Sequence, residues 1–246
     1  MNRTYYITVN SNTTYTKLVS MSDQNISGIV QACLNRSEDL DSWGERILSI
    51  LQNDDVVQSR NPVFLKKKIK DEESIRDKIK RVHNSATRNI TPENVLNEIS
   101  DLVGARLVMA TKKDITPVVE RLEKLNENNK FSISNEKHYA WHPEEFLSLK
   151  EKGKNVMSKN VGYCSRHFIL VPAGLPINDD DYLKCELQLR TALEEAMFEN
   201  DHRVRHRIDK GNPESMEVTT SIMKRISQLL QVADRMLSDA YDWSDN

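Results

Sequence analysis

Three side chains suited to binding phosphate lie four residues apart: Lys70, Ser74 and Lys78. On a helix, Ser74 and Lys78 share a face, with Lys70 near the helix start. Amino groups and a hydroxyl at a helix N-terminus form a binding site for phosphate. The alternative is a solvent-exposed, lysine-rich strand end, because further lysines at positions 66–68 precede this segment.

Polar side chains also accompany two segments that are otherwise apolar. Asp101 lies just before ARLVMA (105–110), a buried type of strand, and carboxylates at the mouth of a sheet are typical Mg²⁺ ligands. Asp101 and Gly104 would equally form a helix-to-strand turn. In CELQLRT (185–191), alternation places Glu186, Gln188 and Arg190 on one face and the leucines on the other. That polar face either lines a site or is exposed to solvent.

A glycine and a tyrosine stand between a lysine and a histidine in KNVGYCSRH (159–167). Gly162 allows close approach of the backbone, and Tyr163 offers a flat face for a nucleotide base. Lys159 and His167 can contact phosphates or stabilise developing charge. The alternative is a hairpin turn with an aromatic plug.

Apolar periodicity predicts the elements that position these residues. Helices are predicted at 26–52, 72–84, from Thr91 to Ser100, at 116–126, 142–152 and 191–208, and at 214–241. Strands are predicted at 5–10, 105–110, 131–135, 166–172 and 182–190, with a loop at 173–181 and KKKIK as the approach to the second helix. Because strands and helices do not alternate strictly, we expect an α+β fold, a mixed sheet flanked by helices.

Composition limits the classes of function. The 246 residues carry a net charge of −2, so the chain as a whole does not attract polyanions and any phosphate site must be local. The three cysteines are too widely spaced for a disulfide framework or a zinc site. No segment resembles a secretory signal or a transmembrane helix, so we expect a cytoplasmic protein without membrane contact.

In their order along the chain, these segments resemble the synthetase domain of the RelA/SpoT family, the (p)ppGpp or alarmone synthetases. The matching segments are KIKDEESIRDK (68–78), DLVGAR (101–106), KNVGYCSRH (159–167), ELQLRT (186–191) and Asp201-His202 where the family has Glu-His. The resemblance covers about residues 62–210. It implies a nucleotidyltransferase-like sheet and transfer of the β,γ-pyrophosphate of ATP to the 3′-hydroxyl of GDP or GTP.

The resemblance also implies a role for each matching residue. Lys70, Ser74 and Lys78 would hold the ATP phosphates, and Lys68 and Arg106 would flank the adenine. Asp101 and Glu186 would bind Mg²⁺, and Glu186 would also take the proton of the acceptor hydroxyl. The acceptor would contact Lys159, Tyr163 (stacked on its base), His167, Gln188 and Glu195.

Several positions depart from the family pattern: Lys68, Val161, Cys164, Arg166, Glu195, Met197 and Asp201. Arg166 would add a cation close to the acceptor, and the changes at Glu195 and Met197 bear on the preference for guanine. One alternative is therefore a toxin-like relative, with or without an antitoxin, that modifies an adenine nucleotide or the 3′ end of tRNA. A basic surface for tRNA would come from residues 150–159 and from Arg203, Arg205, Arg207 and Lys210. Another is an inactive binding module, which the presence of Asp101 and Glu186 disfavours.

The predicted layout is an N-terminal extension (1–60), the synthetase-like domain (61–210) and a C-terminal helix (211–246), as in small single-domain synthetases. The last helix places Ile222, Ile226, Leu229, Ala233, Met236 and Ala240 along one apolar stripe. The stripe would suit a homo-oligomer, but we expect it to pack against its own domain.

Overall fold

A six-stranded mixed sheet forms the centre of this computed structural model, which describes residues 23–84, 89–140, 142–158, 162–174, 183–207 and 213–244. The strands are β1 (Phe64–Ile69), β2 (Val103–Met109), β3 (Ser132–Tyr139), β4 (Val156–Met157), β5 (Ser165–Val171) and β6 (Cys185–Thr191). They lie in the order β1-β2-β6-β5-β3-β4. The pairs β2–β6 and β3–β4 are parallel and the others antiparallel, which confirms the predicted α+β fold with a mixed sheet.

Helices flank this sheet. They are α1 (Asp23–Leu34), α2 (Ser37–Gln52), α3 (Asp55–Ser59), α4 (Glu72–Asn84), α5 (Val95–Glu98), α6 (Ile115–Glu127), α7 (Pro143–Glu151), α8 (Ala192–Arg207) and α9 (Pro213–Ser244). The predicted strand at 5–10 and the candidate residue Lys159 lie outside the described residues. In the described part of the chain, no helix is both long enough and apolar enough to cross a membrane.

The two faces of the sheet differ in chemistry. On one face the side chains of Ala105, Leu107, Leu187 and Leu189 are buried in the main core, to which α2 and α6 contribute. Gly44 lets α2 lie close to the sheet, because a Cβ there would stand 2.8 Å from Cγ2 of Val103. The residues between them on β2 and β6 project from the other face, which is polar.

The segment that forms β1 was predicted as the approach to a helix or, alternatively, as a solvent-exposed strand end, and the structure shows a six-residue strand. In the structure Lys66 and Lys68 are exposed on the polar face, whereas Lys67 turns to the core face. There its amino group lies 2.5 Å from carboxylate oxygens of both Asp41 and Glu45 on α2. Ion pairing to a distant helix thus allows a lysine-rich segment to serve as an edge strand.

Two helix predictions need correction. The helix expected over 26–52 is two helices, α1 and α2, separated by a turn at Asn35 and Arg36. The apolar spacing does not reveal this break, because Cys33 and Leu40 are seven residues apart. The helix expected from Thr91 begins only at Val95, since the side chain of Asn94 accepts a hydrogen bond from the Thr91 amide and forms a turn.

The packing of α9 is also different from the prediction. The apolar stripe does not face its own domain: Ile222, Leu229 and Met236 are between 51% and 70% exposed. The face that packs on the domain carries Ser227 and Asp234, which are 1% exposed. Met223 on the same face is 3% exposed, so hydrogen bonds and one buried methionine hold the helix, while most of its large apolar side chains stay exposed. Periodicity alone therefore points to the wrong face.

Candidate active site

A cleft of about 830 Å³, open to solvent, lies over the polar face of the sheet. Its lining includes these candidate residues: Lys68, Lys70, Ser74, Lys78, Asp101, Arg106, Glu186 and Gln188. A small-molecule pocket usually encloses about 300–1,000 Å³, so this cleft is of a size that suits a nucleotide. The sequence analysis assigned no role to five other lining residues, of which His202 alone belongs to a matching segment: Asp77, Lys80, Arg81, Phe198 and His202.

One end of the cleft is rich in cations. Lys70 follows β1, and Ser74 lies in the first turn of α4, whose start is capped by Asp71 through a 2.8 Å hydrogen bond from the Ser74 amide. That hydrogen bond and one from the Ser74 side chain lower the pKa of Asp71. The amino groups of Lys70 and Lys78 both lie 3.0 Å from Oδ2 of Asp101. Two ammonium groups therefore converge where a polyphosphate could replace the carboxylate as their partner.

The residues present fit a magnesium ion at Asp101. Its Oδ1 atom is buried and has no hydrogen-bond partner, which is costly unless another group takes it up. Gly104 pairs with Glu186 in the parallel ladder, so Glu186 enters the cleft beside the segment that carries Asp101. No cluster of three metal-binding side chains occurs among the described residues. Two carboxylates together with substrate phosphates are, however, the usual donor set for Mg²⁺.

Glu186 is ionised throughout the physiological pH range. Burial alone would raise its pKa, but the hydrogen bond and charge of His167, the Gln188 amide and the Lys70 charge together lower it to about 2. Nδ1 of His167 lies 3.1 Å from Oε1, and the Gln188 amide nitrogen 2.6 Å from Oε2. So low a pKa suits a metal ligand better than a strong general base.

Arg190 is fully buried and holds several of the residues that the sequence predicts to bind the acceptor, which we call the acceptor side. Its guanidinium donates hydrogen bonds to Ser165 Oγ (3.0 Å), Tyr163 Oη (2.6 Å), Gln188 Oε1 (2.9 Å) and Glu195 Oε2 (2.6 Å). All four partners come from the two signature segments and the start of α8. One arginine therefore sets the relative positions of side chains that are up to 32 positions apart in sequence (Tyr163 to Glu195).

A hydrogen-bond chain runs from Arg190 to Glu186. The Tyr163 hydroxyl accepts a hydrogen bond from Arg190 and forms a second one with Nε2 of His167, 2.9 Å away. Burial raises the pKa of Tyr163, so the hydroxyl keeps its proton. Nδ1 of His167 donates to Glu186, because an ionised carboxylate can only accept. Tyr163 and His167 thus fix the orientation of a candidate metal ligand, in addition to the base contact expected of Tyr163.

Arg106, expected to flank the adenine, is held by two carboxylates of α8. Its Nη1 atom lies 2.7 Å from Glu195 Oε1 and 2.6 Å from Glu199 Oε1. Burial would lower the pKa of Arg106, but these two partners outweigh it and raise the pKa. The guanidinium carbon lies 4.9 Å from the ring centroid of Phe198, within range of a cation–π contact. Glu195, predicted to contact the acceptor, has both oxygens taken up by arginines.

The polar face of α9 forms hydrogen bonds to two segments that carry predicted acceptor contacts, at Gly162 and at Thr191. Ser227 donates to the carbonyl oxygen of Gly162 (2.6 Å), a residue with φ of 74° that favours glycine. Thr191 caps α8 through the Glu194 amide and also donates to Oδ2 of Asp234 at 2.6 Å. Helix α9 therefore reaches both segments that position Tyr163 and Glu195.

Arg166 does not add a cation to the acceptor site, contrary to expectation. It is 6% exposed and pairs with Glu145 of α7 and Glu194 of α8. Lys112 lies 2.9 Å from Glu145 and extends this buried network. One feature of the sequence indicates that Arg166 is paired inside the protein: it is a charged residue in the otherwise mostly apolar strand RHFILV.

The basic surface proposed for tRNA is described only in part. Arg203 lies on α8, whereas the side chains of residues 205–210 are outside the described part of the chain. Lys154, in the other basic segment, is paired with Glu123 at 2.6 Å and Glu136 at 3.1 Å. Pairing of this kind reduces the positive charge available to a polyanion.

Comparison with known proteins supports the family resemblance. A profile of the region found in RelA / SpoT proteins matches residues 67–210, more than half of the chain. The GTP pyrophosphokinase YwaC of Bacillus subtilis (strain 168) is 24% identical over 200 residues, which span 80% of this chain and 83% of the relative.

Solved structures of small synthetases share the fold. Small alarmone synthetase 1 from Bacillus subtilis, bound to its product pppGpp, matches with a TM-score of 0.57 at 16% identity, over 85% of this chain and 94% of that one. A GTP pyrophosphokinase family protein from Streptococcus pneumoniae matches with a TM-score of 0.56 at 18% identity, over 90% and 95%. At such identities the likeness speaks for the fold alone, and the family resemblance itself is confirmed by the profile match.

Proposed function

The chain belongs to the RelA/SpoT family and is a pyrophosphotransferase of the synthetase type, and we propose that it moves the β,γ-pyrophosphate of ATP to the 3′-hydroxyl of GDP or GTP. One observation carries the proposal. The buried, unpartnered Oδ1 of Asp101 lies in the same cleft as the ionised Glu186. Asp101 is paired with Lys70 and Lys78, and Glu186 is hydrogen-bonded to His167, which in turn contacts Tyr163. This order of groups fits a donor polyphosphate, a metal-bridged reaction centre and an acceptor.

In the proposed reaction, the acceptor 3′-oxygen attacks the β-phosphorus and the bond from that phosphorus to the bridging oxygen of the α-phosphate breaks. AMP leaves with the bonding electrons. Lys70, Ser74 and Lys78 bind the β- and γ-phosphate oxygens, and Lys68 and Arg106 flank the adenine. Most of the catalytic effect comes from positioning and charge neutralisation, because phosphoryl transfer passes through a loose, highly charged transition state.

Asp101 and Glu186 would hold Mg²⁺, which when bound supplies charge neutralisation at the phosphate oxygens. Glu186 also accepts a hydrogen bond from the acceptor hydroxyl and receives its proton as the new P–O bond forms. Its low pKa means that proton transfer comes late and that the proton passes on to water. His167 keeps the carboxylate oriented, and Tyr163, Lys159 and Gln188 bind the acceptor.

A different acceptor, an adenine nucleotide or the 3′ end of tRNA, is the second candidate. The observation in its favour is that Glu195 is occupied by two arginines and Met197 is 8% exposed. These two positions stand where the family pattern differs: the buried Met197 offers a guanine no hydrogen-bond donor, and Glu195 is ion-paired to Arg106 and Arg190 in this structure.

We also propose that a second copy of the chain covers the apolar stripe of α9. The helix has 32 residues and so extends about 48 Å. Exposed apolar side chains follow it from Val218 through Leu229 to Met236. A stripe of this length, with the opposite face already bonded to its own domain, is suited to antiparallel pairing with an identical helix.

Glu186→Gln tests the catalytic assignment. The variant keeps the shape of the side chain but removes the charge, and we expect transfer to fall by at least about 100-fold. Glu120→Gln is the matched control, because Glu120 is exposed on α6 and does not line the cleft. Transfer that persists in Glu186→Gln, or falls equally in Glu120→Gln, would refute the role of Glu186.

A further inference from the structure

Glu195 joins Arg106, which lines the cleft, to Arg190, which does not line it but holds Tyr163 and Gln188. It lies in the first turn of α8 and is 7% exposed. Oε1 accepts a hydrogen bond from Arg106 at 2.7 Å, and Oε2 accepts one from Arg190 at 2.6 Å. A single carboxylate therefore connects the strand that carries the donor-side arginine with the strand that carries the acceptor-side arginine.

The two guanidinium groups also share an aromatic neighbour. Their carbon atoms lie 4.0 Å (Arg190) and 4.9 Å (Arg106) from the centroid of the Phe198 ring. The two guanidinium groups therefore share the same ring, Phe198, and the same carboxylate, Glu195. A change in the position of either arginine must alter the electrostatic stabilisation of the other.

We propose that Glu195 is a positioning residue that couples binding of ATP to binding of the acceptor nucleotide, an inference that rests on the proposed function. When ATP draws Arg106 towards its base, Glu195 loses one of its two partners. The Glu195 carboxylate then interacts more strongly with Arg190, and Arg190 also donates hydrogen bonds to Tyr163 and Gln188. The acceptor side becomes better ordered, so each nucleotide raises the affinity for the other, as reciprocity requires.

Glu199 provides the matched control. It binds the same nitrogen of Arg106, at 2.6 Å, and is more exposed, with a side chain 41% accessible against 9% for Glu195. Glu199 accepts a hydrogen bond from Arg106, the arginine on the ATP side of the proposed site. Removing the charge of Glu199 loosens Arg106 but leaves the bonds of Glu195 to Arg106 and Arg190 in place. Comparing variants of the two glutamates therefore distinguishes weaker ATP binding from loss of the coupling.

The experiment is calorimetry with the α,β-methylene analogue of ATP, in which the bond broken in the reaction is replaced, and with GDP. Each ligand is titrated into the protein with and without a saturating amount of the other. We expect each to tighten the other about 10-fold in the wild type and in Glu199→Gln, and by less than about 2-fold in Glu195→Gln. Glu195→Asp, which keeps the charge but is too short to reach both arginines, should behave like Glu195→Gln and serves if that variant does not fold.

Each outcome decides between distinct claims. Binding of both nucleotides to the wild type without mutual effect, or full coupling in both Glu195 variants, would overturn the inference alone. Loss of coupling in Glu199→Gln as well would also overturn it, because loosening of Arg106 would then suffice. Failure of the wild type to bind either nucleotide would overturn the proposed function and this inference with it.

Discussion

Replacing Tyr163 by Phe separates the two roles that the structure gives this residue. The ring is kept, so stacking on an acceptor base is retained. The hydroxyl that accepts from Arg190 at 2.6 Å and is hydrogen-bonded to His167 at 2.9 Å is lost. His167 then has a weaker hold on Glu186, while Arg190 keeps Gln188 as a partner.

The size of the effect follows from the bonds that disappear. A hydrogen bond that involves a charged donor contributes about 2 kcal/mol, and the hydroxyl's second bond goes to a partly accessible histidine. If this stabilisation is felt mainly in the transition state, kcat falls about 30-fold. The KM for the acceptor should change less than about 3-fold, because the aromatic face remains. Tyr163→Ala, by contrast, should also raise the acceptor KM.

The assay is the initial rate of pyrophosphate transfer at varied acceptor and saturating ATP, with thermal unfolding as a control for the fold. A Tyr163→Phe enzyme with wild-type kcat would refute the hydrogen-bond chain as a catalytic device. An acceptor KM that rises as much in Tyr163→Phe as in Tyr163→Ala would refute the separation of the two roles.

Two further predictions concern α9. Burial is the main cause that raises the pKa of Asp234 from its usual 3.8 to about 6, against the hydrogen bond from Thr191. The folded state therefore holds this proton more tightly than the unfolded state, so the contribution of Asp234 to stability is fully present below about pH 4 and is lost as the pH rises through about 6. Asp234→Asn should remove that loss. By urea unfolding, the variant should be more stable than the wild type by about 2 kcal/mol at pH 7.5 but not at pH 4. Unfolding curves that match those of the wild type at both pH values would contradict the assignment. Leu229→Glu places a charge on a side chain that is 70% exposed, so it should leave the fold intact but convert an oligomer to a monomer in light scattering, whereas a monomeric wild type would contradict pairing through α9.

The residues that line the cleft could be predicted because their spacing is local. Glu186 and Gln188 are two apart on a strand, so alternation alone puts them on one face. Ser74 and Lys78 are four apart on a helix, and they too reach the same cleft. The order of these segments, rather than any one of them, carried the resemblance to the family.

The contacts that couple the site could not be predicted, because they depend on tertiary structure. Arg106 and Glu195 are 89 positions apart, and Thr191 meets Asp234 across 43 positions. The predicted contact of Glu195 with the acceptor stays a prediction; its two arginine partners lie on other elements and could not be found from the sequence. The buried face of α9 was missed for a related reason: it is polar, and a periodicity argument follows the apolar side chains.

The most direct test of the central claim is to incubate the wild-type protein with γ-³²P-labelled ATP and Mg²⁺ and, separately, GDP, GTP, AMP, ADP, unlabelled ATP and deacylated tRNA. The account predicts that label moves to GDP or GTP. Label on an adenine nucleotide or on tRNA would contradict the guanine acceptor and show that the changes around Glu195 and Met197 had redirected the enzyme. Label on no acceptor would contradict the pyrophosphotransferase assignment itself.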